Sequence, residues 1–381
     1  MSQVQVLEVQ ISDIVGGIEN FLENLCGSDF SSNDISYTIV GNNAPTEVVQ
    51  RLSEAHCTYI EMPTVNSLKK YFLFWKKVYR SNEFDIIHFH KNSNANIIPI
   101  VMAKILTTSS IIIQSHNSAP SIQNRLLIFL NYFNRPIVNK LADTRIAVSK
   151  QAAYWLFGKR LTEKGSIQII NNGVNTKSFE FDRKKRTIIR EKLNIDKNFV
   201  LGHVGRFTEQ KNHRFLINLF EQIHNKYPET KLVLIGTGPL FQNIKRMVSE
   251  KKLNNSVIFL GEVENVNEYL MAMDCFIFPS IFEGLPIALL EAEASGLPAM
   301  ISNRISEEVL VTSRCYAIGL RDLDNWMAVF KEVLSKNERY FESRSDFSAV
   351  IDHEGFGVVK CVNKINQIYM RLGKNGKKKY D

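Results

Sequence analysis

The chain has 381 residues, of which 44% are hydrophobic and 23% charged, and a formal net charge of +8. That balance suits a globular protein of two ordinary domains and excludes a disordered chain. The longest apolar run, around "IIPIVMAK", is too short and too interrupted to span a bilayer, which excludes an integral membrane protein of the helical kind.

The charge suggests an anionic partner: a phosphorylated ligand, an anionic membrane or nucleic acid. Neither zinc-finger spacing nor an aromatic RNA-binding signature is present, which argues against nucleic acid. The five cysteines (Cys26, Cys57, Cys275, Cys315 and Cys361) form no close pair in sequence, as expected of a reducing compartment. The opening "MSQVQVLEVQI" reads as a strand and not as a secretory leader, so the expected location is cytoplasmic.

In chain order, "VQVLEVQI", "ISYTIV", "CTYIEM", "FDIIHFH", "SSIIIQSH", "TRIAVS" and "IQIIN" read as strands of a first domain. "FVLGHVG", "KLVLIGTG", "SVIFLG", "CFIFPS", "LPAMIS" and "CYAIGL" read as strands of a second. Such near-continuous β-branched runs, separated by helical patterns, suit parallel strands buried on both faces. The fold class expected is α/β, with two doubly wound Rossmann-like domains facing across a cleft. The break falls near "NNGVNTKSFEFDRKKRTIIREKL", where Lys184, Lys185 and Arg186 read as a solvated linker. Expected boundaries are 1–178 and 179–355, with a C-terminal helix at about 356–372 as a candidate to pack back on the first domain. A basic tail over 373–381 is expected to be disordered.

Ligands of open α/β sheets bind beyond the carboxyl ends of the strands, so the motifs there matter most. Gly16 and Gly17 follow the first strand and open a helix, where bare backbone N–H groups can approach a ligand. In "GRFTEQKN", Arg206 and Lys211 place two cations after a strand-ending glycine, which suits a diphosphate. The loop "IGTGPL" lacks the third glycine and the distant acid of a dinucleotide fingerprint, so hydride transfer is discounted. His88, His90 and His116 end strands, and alternation puts His88 and His90 on one face. No carboxylate joins them at metal-ligand spacing in the sequence. Asp322 in "RDLDNW" reads as a helix N-cap and not as a metal ligand. In "SIFEGLPIALLEAEASGLP", Pro286 suits a helix start and Gly296 with Pro298 its end, so Glu283 stands just outside the helix and Glu291 in its second turn.

Glu283 and Glu291, with seven residues between them that include Gly-Leu-Pro, resemble the E-x7-E signature of retaining GT-B glycosyltransferases of family four, the capsular and exopolysaccharide type of group 1. Nearly the whole chain follows that family's order. "GGIENFLENL" is similar to its N-terminal glycine loop, "DIIHFH" and "SHNS" to its histidine-ending strands, and "INNGVNTKSF" to its interdomain stretch. "GRFTEQKN" is similar to its diphosphate clamp, and "IGTGPL" and "FLGEV" to its base-side loops.

The resemblance implies a metal-independent hexosyltransferase without a cofactor. Its donor is a nucleotide sugar, UDP-linked, and its acceptor a lipid-linked saccharide of bacterial surface polysaccharide assembly. It gives Glu283 a place at the donor sugar, Glu291 the ribose hydroxyls, and Arg206 and Lys211 the leaving diphosphate. His116 lies near the donor sugar, Gly17 at the β-phosphate, and Val263 where the base is read through the backbone. The N–H groups around Gly284, Leu285 and Ile287 hold sugar and phosphate. The first domain would hold the acceptor. Its basic aromatic helix, expected over 65–80 with Leu68, Phe72, Trp75 and Val78 or Tyr79 in a stripe, is either a core-facing helix or a contact with anionic membrane. In "NRLLIFLNYFNRPIVNKL" burial is the better expectation. Two other readings stay open: a GT-B sugar-nucleotide epimerase, and a non-catalytic partner subunit of another transferase.

Overall fold

A computed structural model of the protein describes residues 3–11, 17–27, 34–63, 67–117, 124–345 and 347–377. The chain divides into two compact units, Met1–Gly173 with Val358–Asp381, and Val174–Gly357. The chain thus leaves the first unit five residues before the expected 178, and returns to it at Val358.

The first unit is built on seven strands: β1 (Val4–Ile11), β2 (Ile35–Gly41), β3 (Thr58–Glu61), β4 (Ile86–Lys91), β5 (Ser110–Ser115), β6 (Thr144–Ala147) and β7 (Gln168–Ile169). They lie in the order β3-β2-β1-β4-β5-β6-β7 and pair in parallel throughout. The order reverses between β1 and β4, which leaves the crevice where parallel sheets of this kind take ligands.

Helix Val358–Lys377 belongs to this unit, and its Val358, Val362, Ile365 and Tyr369 complete the core under β1 and β2. The helix runs on into the segment expected to be a disordered tail. Gly373 explains why: it is buried against β1, and a Cβ there would sit 2.8 Å from Cγ2 of Val4. Residues 378–381 lie outside the described residues.

The second unit holds β8 (Phe199–Val204), β9 (Thr230–Ile235), β10 (Val257–Gly261), β11 (Cys275–Phe278), β12 (Ala299–Ser302) and β13 (Cys315–Ile318). Their order is β10-β9-β8-β11-β12-β13, parallel, with its reversal between β8 and β11. Successive residues feed opposite cores, as period-2 geometry requires. Val200, Val233 and Phe276 enter one core, and their neighbours Leu201, Leu232 and Ile277 the other.

The stretch read as a solvated linker is instead the first helix of this unit, Arg183–Leu193, capped by Asp182. Arg186 and Arg190 point inward to the buried Asp274, at 2.5 and 3.1 Å, and to the carbonyls of Met271, Ala272 and Met273. Basic residues in a run look solvated from sequence; a buried acid 84 positions downstream of Arg190 reverses that.

The helix Ile287–Ala294 ends as expected at Gly296, whose φ is +69°. A Cβ at Gly296 would also lie 2.5 Å from the carbonyl oxygen of Arg344. Gly296→Ala should therefore cost about 1–3 kcal/mol in denaturant unfolding. Gly165→Ala serves as control: its φ is +68° but its surroundings are empty, so it should cost less. Equal losses in the two variants would show that the Arg344 backbone does not crowd this site.

Candidate active site

The second unit gathers its polar groups beyond the carboxyl ends of β8 to β11. Lys211 Nζ lies 2.8 Å from Glu283 Oε1 in a largely buried ion pair, and 4.5 Å over the ring of Phe278. Gln210 donates to the carbonyl of Phe282 at 3.0 Å and to Glu283 Oε2 at 3.3 Å, while its own carbonyl accepts from Ile281 N–H at 2.8 Å. Asn212, in the left-handed region at φ 56°, donates to Pro279 O. These bonds stitch the loop after β8 to the loop after β11, so Lys211 and Glu283 are held and not merely near. Arg206 stands at the end of β8 with an exposed side chain and forms no ion pair among the described residues.

The glycines of "IGTG" serve packing. Gly236 and Gly238 have φ of +125° and +150°, and a Cβ at either would strike the backbone of Gly205 or Phe207 at 2.4 to 2.8 Å. Only bare backbone lets this loop lie against Arg206. Phe207 N–H donates to Thr237 O, Gly236 N–H to Gly261 O, and Thr237 Oγ1 to Glu262 Oε1. Val263 follows, partly buried, on the same edge.

Glu291 occupies the second turn of helix Ile287–Ala294, half-buried. Burial pushes its carboxyl up to about 8, against a partial pull downward from the charge of Lys211. No hydrogen bond holds that carboxyl among the described residues. Of the N–H groups expected to face phosphate, that of Ile287 is already given to Leu285 O at 3.0 Å, whereas those of Gly284 and Leu285 have no backbone acceptor among the described residues. In this conformation the N–H groups of Gly284 and Leu285 are the two of the three without a backbone acceptor.

In the first unit His88 and His90 share a face, as alternation requires, with ring centroids 4.2 Å apart. A carboxylate does join them, contrary to the sequence reading: Glu8 of β1, paired in register with His88 and wholly buried. Its Oε2 accepts from His90 Nε2 at 2.7 Å and its Oε1 from Tyr369 Oη at 2.6 Å, and the Tyr369 oxygen lies 2.5 Å from His88 Nδ1. Burial alone would push the Glu8 carboxyl up, but the charge and hydrogen bonds of His88 and His90 outweigh it and hold it well below the usual range.

His90 Nδ1 meets His116 Nε2 at 2.8 Å. Burial takes His90 down to about 4 and holds His116 well below the ordinary imidazole range, so both rings are neutral at pH 7. Glu8, His88 and His90 bring possible ligand atoms within 4.8 Å of one another, but hydrogen bonds among themselves and with Tyr369 already engage those atoms. Gly16 lies outside the described residues, and Gly17 is the first residue of the helix Gly17–Cys26.

Residues 185–340 match the family described as glycosyl transferases group 1. Over that segment the chain is similar to the group 1 glycosyl transferases. Among its relatives, EpsF of Bacillus subtilis is 30% identical over 239 residues, which make up 59% of this chain and 59% of EpsF. A UDP-Gal:alpha-D-GlcNAc-diphosphoundecaprenol alpha-1,3-galactosyltransferase of Escherichia coli is 26% identical over 303 residues, 78% of each chain. The fold matches that of Anabaena HepE, solved in complex with UDP, with a TM-score of 0.79 at 17% identity over 97% of this chain and all of that one. The two Rossmann-like units are thus those of the GT-B fold.

Sequence reasoning named Glu283, Lys211, Arg206, Val263 and Glu291, and the second unit carries all five beyond the carboxyl ends of its strands. It missed Gln210, Glu8 and Tyr369. Glu8 had a signal: a lone acid on the inward face of the strand shared with Val4 and Val6. Tyr369 had none, because its partners lie more than 280 residues away.

The state of Glu291 sets a pH dependence. Its folded value of about 8 lies above the ordinary 4.5, so the stability it contributes is full below pH 4.5 and is lost as the pH rises to 8. The melting temperature of the wild type should therefore fall relative to that of Glu291→Gln between pH 5 and pH 8, and the difference should level off above. Parallel profiles for the two proteins would show that Glu291 ionises normally.

Proposed function

We propose that this protein is a retaining, metal-independent transferase that moves a hexose or N-acetylhexosamine from a UDP-sugar to a lipid-linked saccharide in bacterial surface polysaccharide assembly. The observation that carries the reading is the Lys211–Glu283 pair, held beside the exposed Arg206 at the β8/β11 reversal. Breaking a sugar–phosphate bond builds negative charge on the departing diphosphate. Arg206, Lys211 and the N–H groups of Gly284 and Leu285 form a preorganised positive region for that charge, and such a region supplies the stabilisation that a cation would otherwise provide. Glu283 fixes Lys211 and stands where a carboxylate can orient sugar hydroxyls near the reacting carbon. Glu291 suits the ribose diol, with Val263 presenting backbone to the base. The Anabaena neighbour solved with UDP and the Escherichia coli relative named for UDP-Gal support the donor class.

The first unit suits the acceptor. A cavity of about 550 Å³ is lined by Met62, Leu68, Tyr71, Asn96, Ile98 and Asn134, apolar walls with amides among them. The E. coli relative's name, with its diphosphoundecaprenol acceptor, supports a lipid-linked one here. No helix among the described residues is long and apolar enough to cross a membrane.

The surface beside the cavity differs from expectation. Helix Leu68–Ser81 buries Tyr71, Trp75, Val78 and Tyr79, so Trp75 is core, and exposes Leu68, Phe72 and Leu73 among Lys69, Lys70, Lys76 and Lys77. Helix Arg125–Leu141, expected to be buried, turns Phe129 and Phe133 outward at 61% and 63% exposure, with Leu126, Tyr132 and Ile137 also exposed. Its inward positions are Asn131, Asn134 and Val138, and the two asparagines bond the backbone of Asn94 at 2.7 and 2.8 Å. Because backbone amides claim the inward face, the aromatics are displaced to the outer one. Exposed aromatics among basic residues suit a peripheral contact with anionic lipid.

Two outcomes follow. Glu283→Ala should lower transfer by about a hundredfold or more while UDP binding stays near wild type. Transfer is read as UDP release from UDP-glucose, UDP-galactose and UDP-N-acetylglucosamine, with diphosphoundecaprenol-linked GlcNAc as acceptor; wild-type rates in the variant would overturn the site. Phe129→Ser with Phe133→Ser should release the protein from phosphatidylglycerol vesicles in flotation, and unchanged flotation would remove the membrane contact.

A further inference from the structure

The cavity of the first unit is selective about which part of an acceptor it suits, a point that goes beyond the reading above but rests on its lipid-linked acceptor. Five of the eight residues lining the cavity are apolar, and the three polar ones, Tyr71, Asn96 and Asn134, are largely spent within the protein. Asn96 donates to Tyr71 Oη at 2.9 Å and accepts from Ile98 N–H at 3.1 Å. Asn134 donates to the carbonyls of Asn94 and Ala95 at 2.8 and 3.4 Å. Among the described residues this leaves the hydroxyl proton of Tyr71 and the side-chain oxygen of Asn134 uncommitted. A saccharide ring carries a hydroxyl on most of its carbons, and burying those without partners is costly. A hydrocarbon asks for none. The volume of about 550 Å³ is ample for a short length of chain.

A charge stands beside this apolar space. Lys91 is the last residue of β4, and alternation sends its side chain to the face opposite His88 and His90. Its Nζ donates to the carbonyl of Asn96, a wall residue, at 3.0 Å. An ammonium has three protons, and among the described residues no carboxylate and no second acceptor meets this one. The side chain is half-buried, and loss of water pushes its ammonium down to about 8, with no acid to offset the shift. A half-buried cation that no group of the protein neutralises is the complement of an anionic ligand.

The cavity is continuous with the apolar surface through Leu68, which belongs to its wall and is yet 69% exposed. Phe72 stands exposed one turn further along the same helix, with Lys69 and Lys70 between them. On the neighbouring helix, Asn134 of the wall follows the outward Phe133. A chain whose far end lies among lipids can therefore enter here without its hydrocarbon crossing open water.

We propose that the cavity is a subsite for hydrocarbon, the first units of the acceptor's prenyl chain, and that Lys91 binds the diphosphate joining that chain to the saccharide. The saccharide itself stays outside the cavity. Neither Lys91 nor the cavity wall takes part in making or breaking a bond; together they fix where the lipid end of the acceptor rests.

The test is calorimetric titration of the full-length protein with farnesyl diphosphate, below its micelle concentration and with no bilayer present. Saturating UDP fills any nucleotide site that a diphosphate could otherwise enter. Saturable binding is expected, with inorganic diphosphate and farnesol each weaker by about tenfold or more, since each keeps only half of the contacts. Lys91→Met should weaken farnesyl diphosphate by about tenfold and leave farnesol unchanged. Met62→Ser with Leu68→Ser should weaken both ligands by a common factor of about tenfold. No binding in the presence of UDP, or inorganic diphosphate binding as tightly as farnesyl diphosphate, overturns the proposal on the wild type alone. An equal loss of farnesol and farnesyl diphosphate in Lys91→Met removes the role of Lys91. The underlying reading fails separately: a protein that binds farnesyl diphosphate as described, yet releases no UDP with any diphosphoprenyl-linked saccharide, keeps the subsite and loses the acceptor assignment.

Discussion

A parallel sheet cannot double back on itself. Each return to the amino edge needs a right-handed crossover, and a sheet that grows in both directions from its first strand must leave two adjacent strands whose crossovers depart to opposite faces. Both units of this protein are built under that constraint, at β1/β4 and at β8/β11. The polar clusters of the candidate site lie at those two places. In the second unit the strand ends there carry Arg206, Lys211 and Glu283; in the first they carry His90 and His116 over the buried Glu8. The helices and flanking strands supply the apolar mass that keeps water from the lower parts of these clusters, so the charges interact at full strength.

The fold was largely legible. Thirteen apolar runs correspond to the thirteen strands among the described residues, because parallel strands buried on both faces leave a continuous hydrophobic signature that loops and helices do not imitate. The charged cluster at the β8/β11 reversal was legible for a related reason. Glu283, Lys211 and Arg206 are charges at strand ends, where composition otherwise favours apolar or small residues, and they stand out against that background.

What stayed hidden depended on distance along the chain or on an exchange of inside for outside. Arg186 looked solvated until Asp274 was placed beneath it. Glu8 looked isolated until β4 was set beside β1. The helix Arg125–Leu141 misled in a more general way. Hydrophobic periodicity assumes that apolar faces turn inward, yet here a loop with unpaired backbone groups lies underneath, and asparagine is the residue that can satisfy it. The hydrogen-bonding demand of one loop overrode the burial preference of six large side chains.

The bond from Tyr369 to Glu8 has a consequence in time as well as in space. The second unit is one unbroken stretch, Val174–Gly357, while the first needs residues from both ends of the chain. On the ribosome, β1 emerges first, carrying an acid that in the finished core is bonded by a tyrosine hydroxyl made some 360 residues later. Until that tyrosine arrives, the carboxylate must keep its water, and the sheet around it cannot dry. Synthesis therefore completes the second unit before the first, reversing the usual order in which amino-terminal domains fold first.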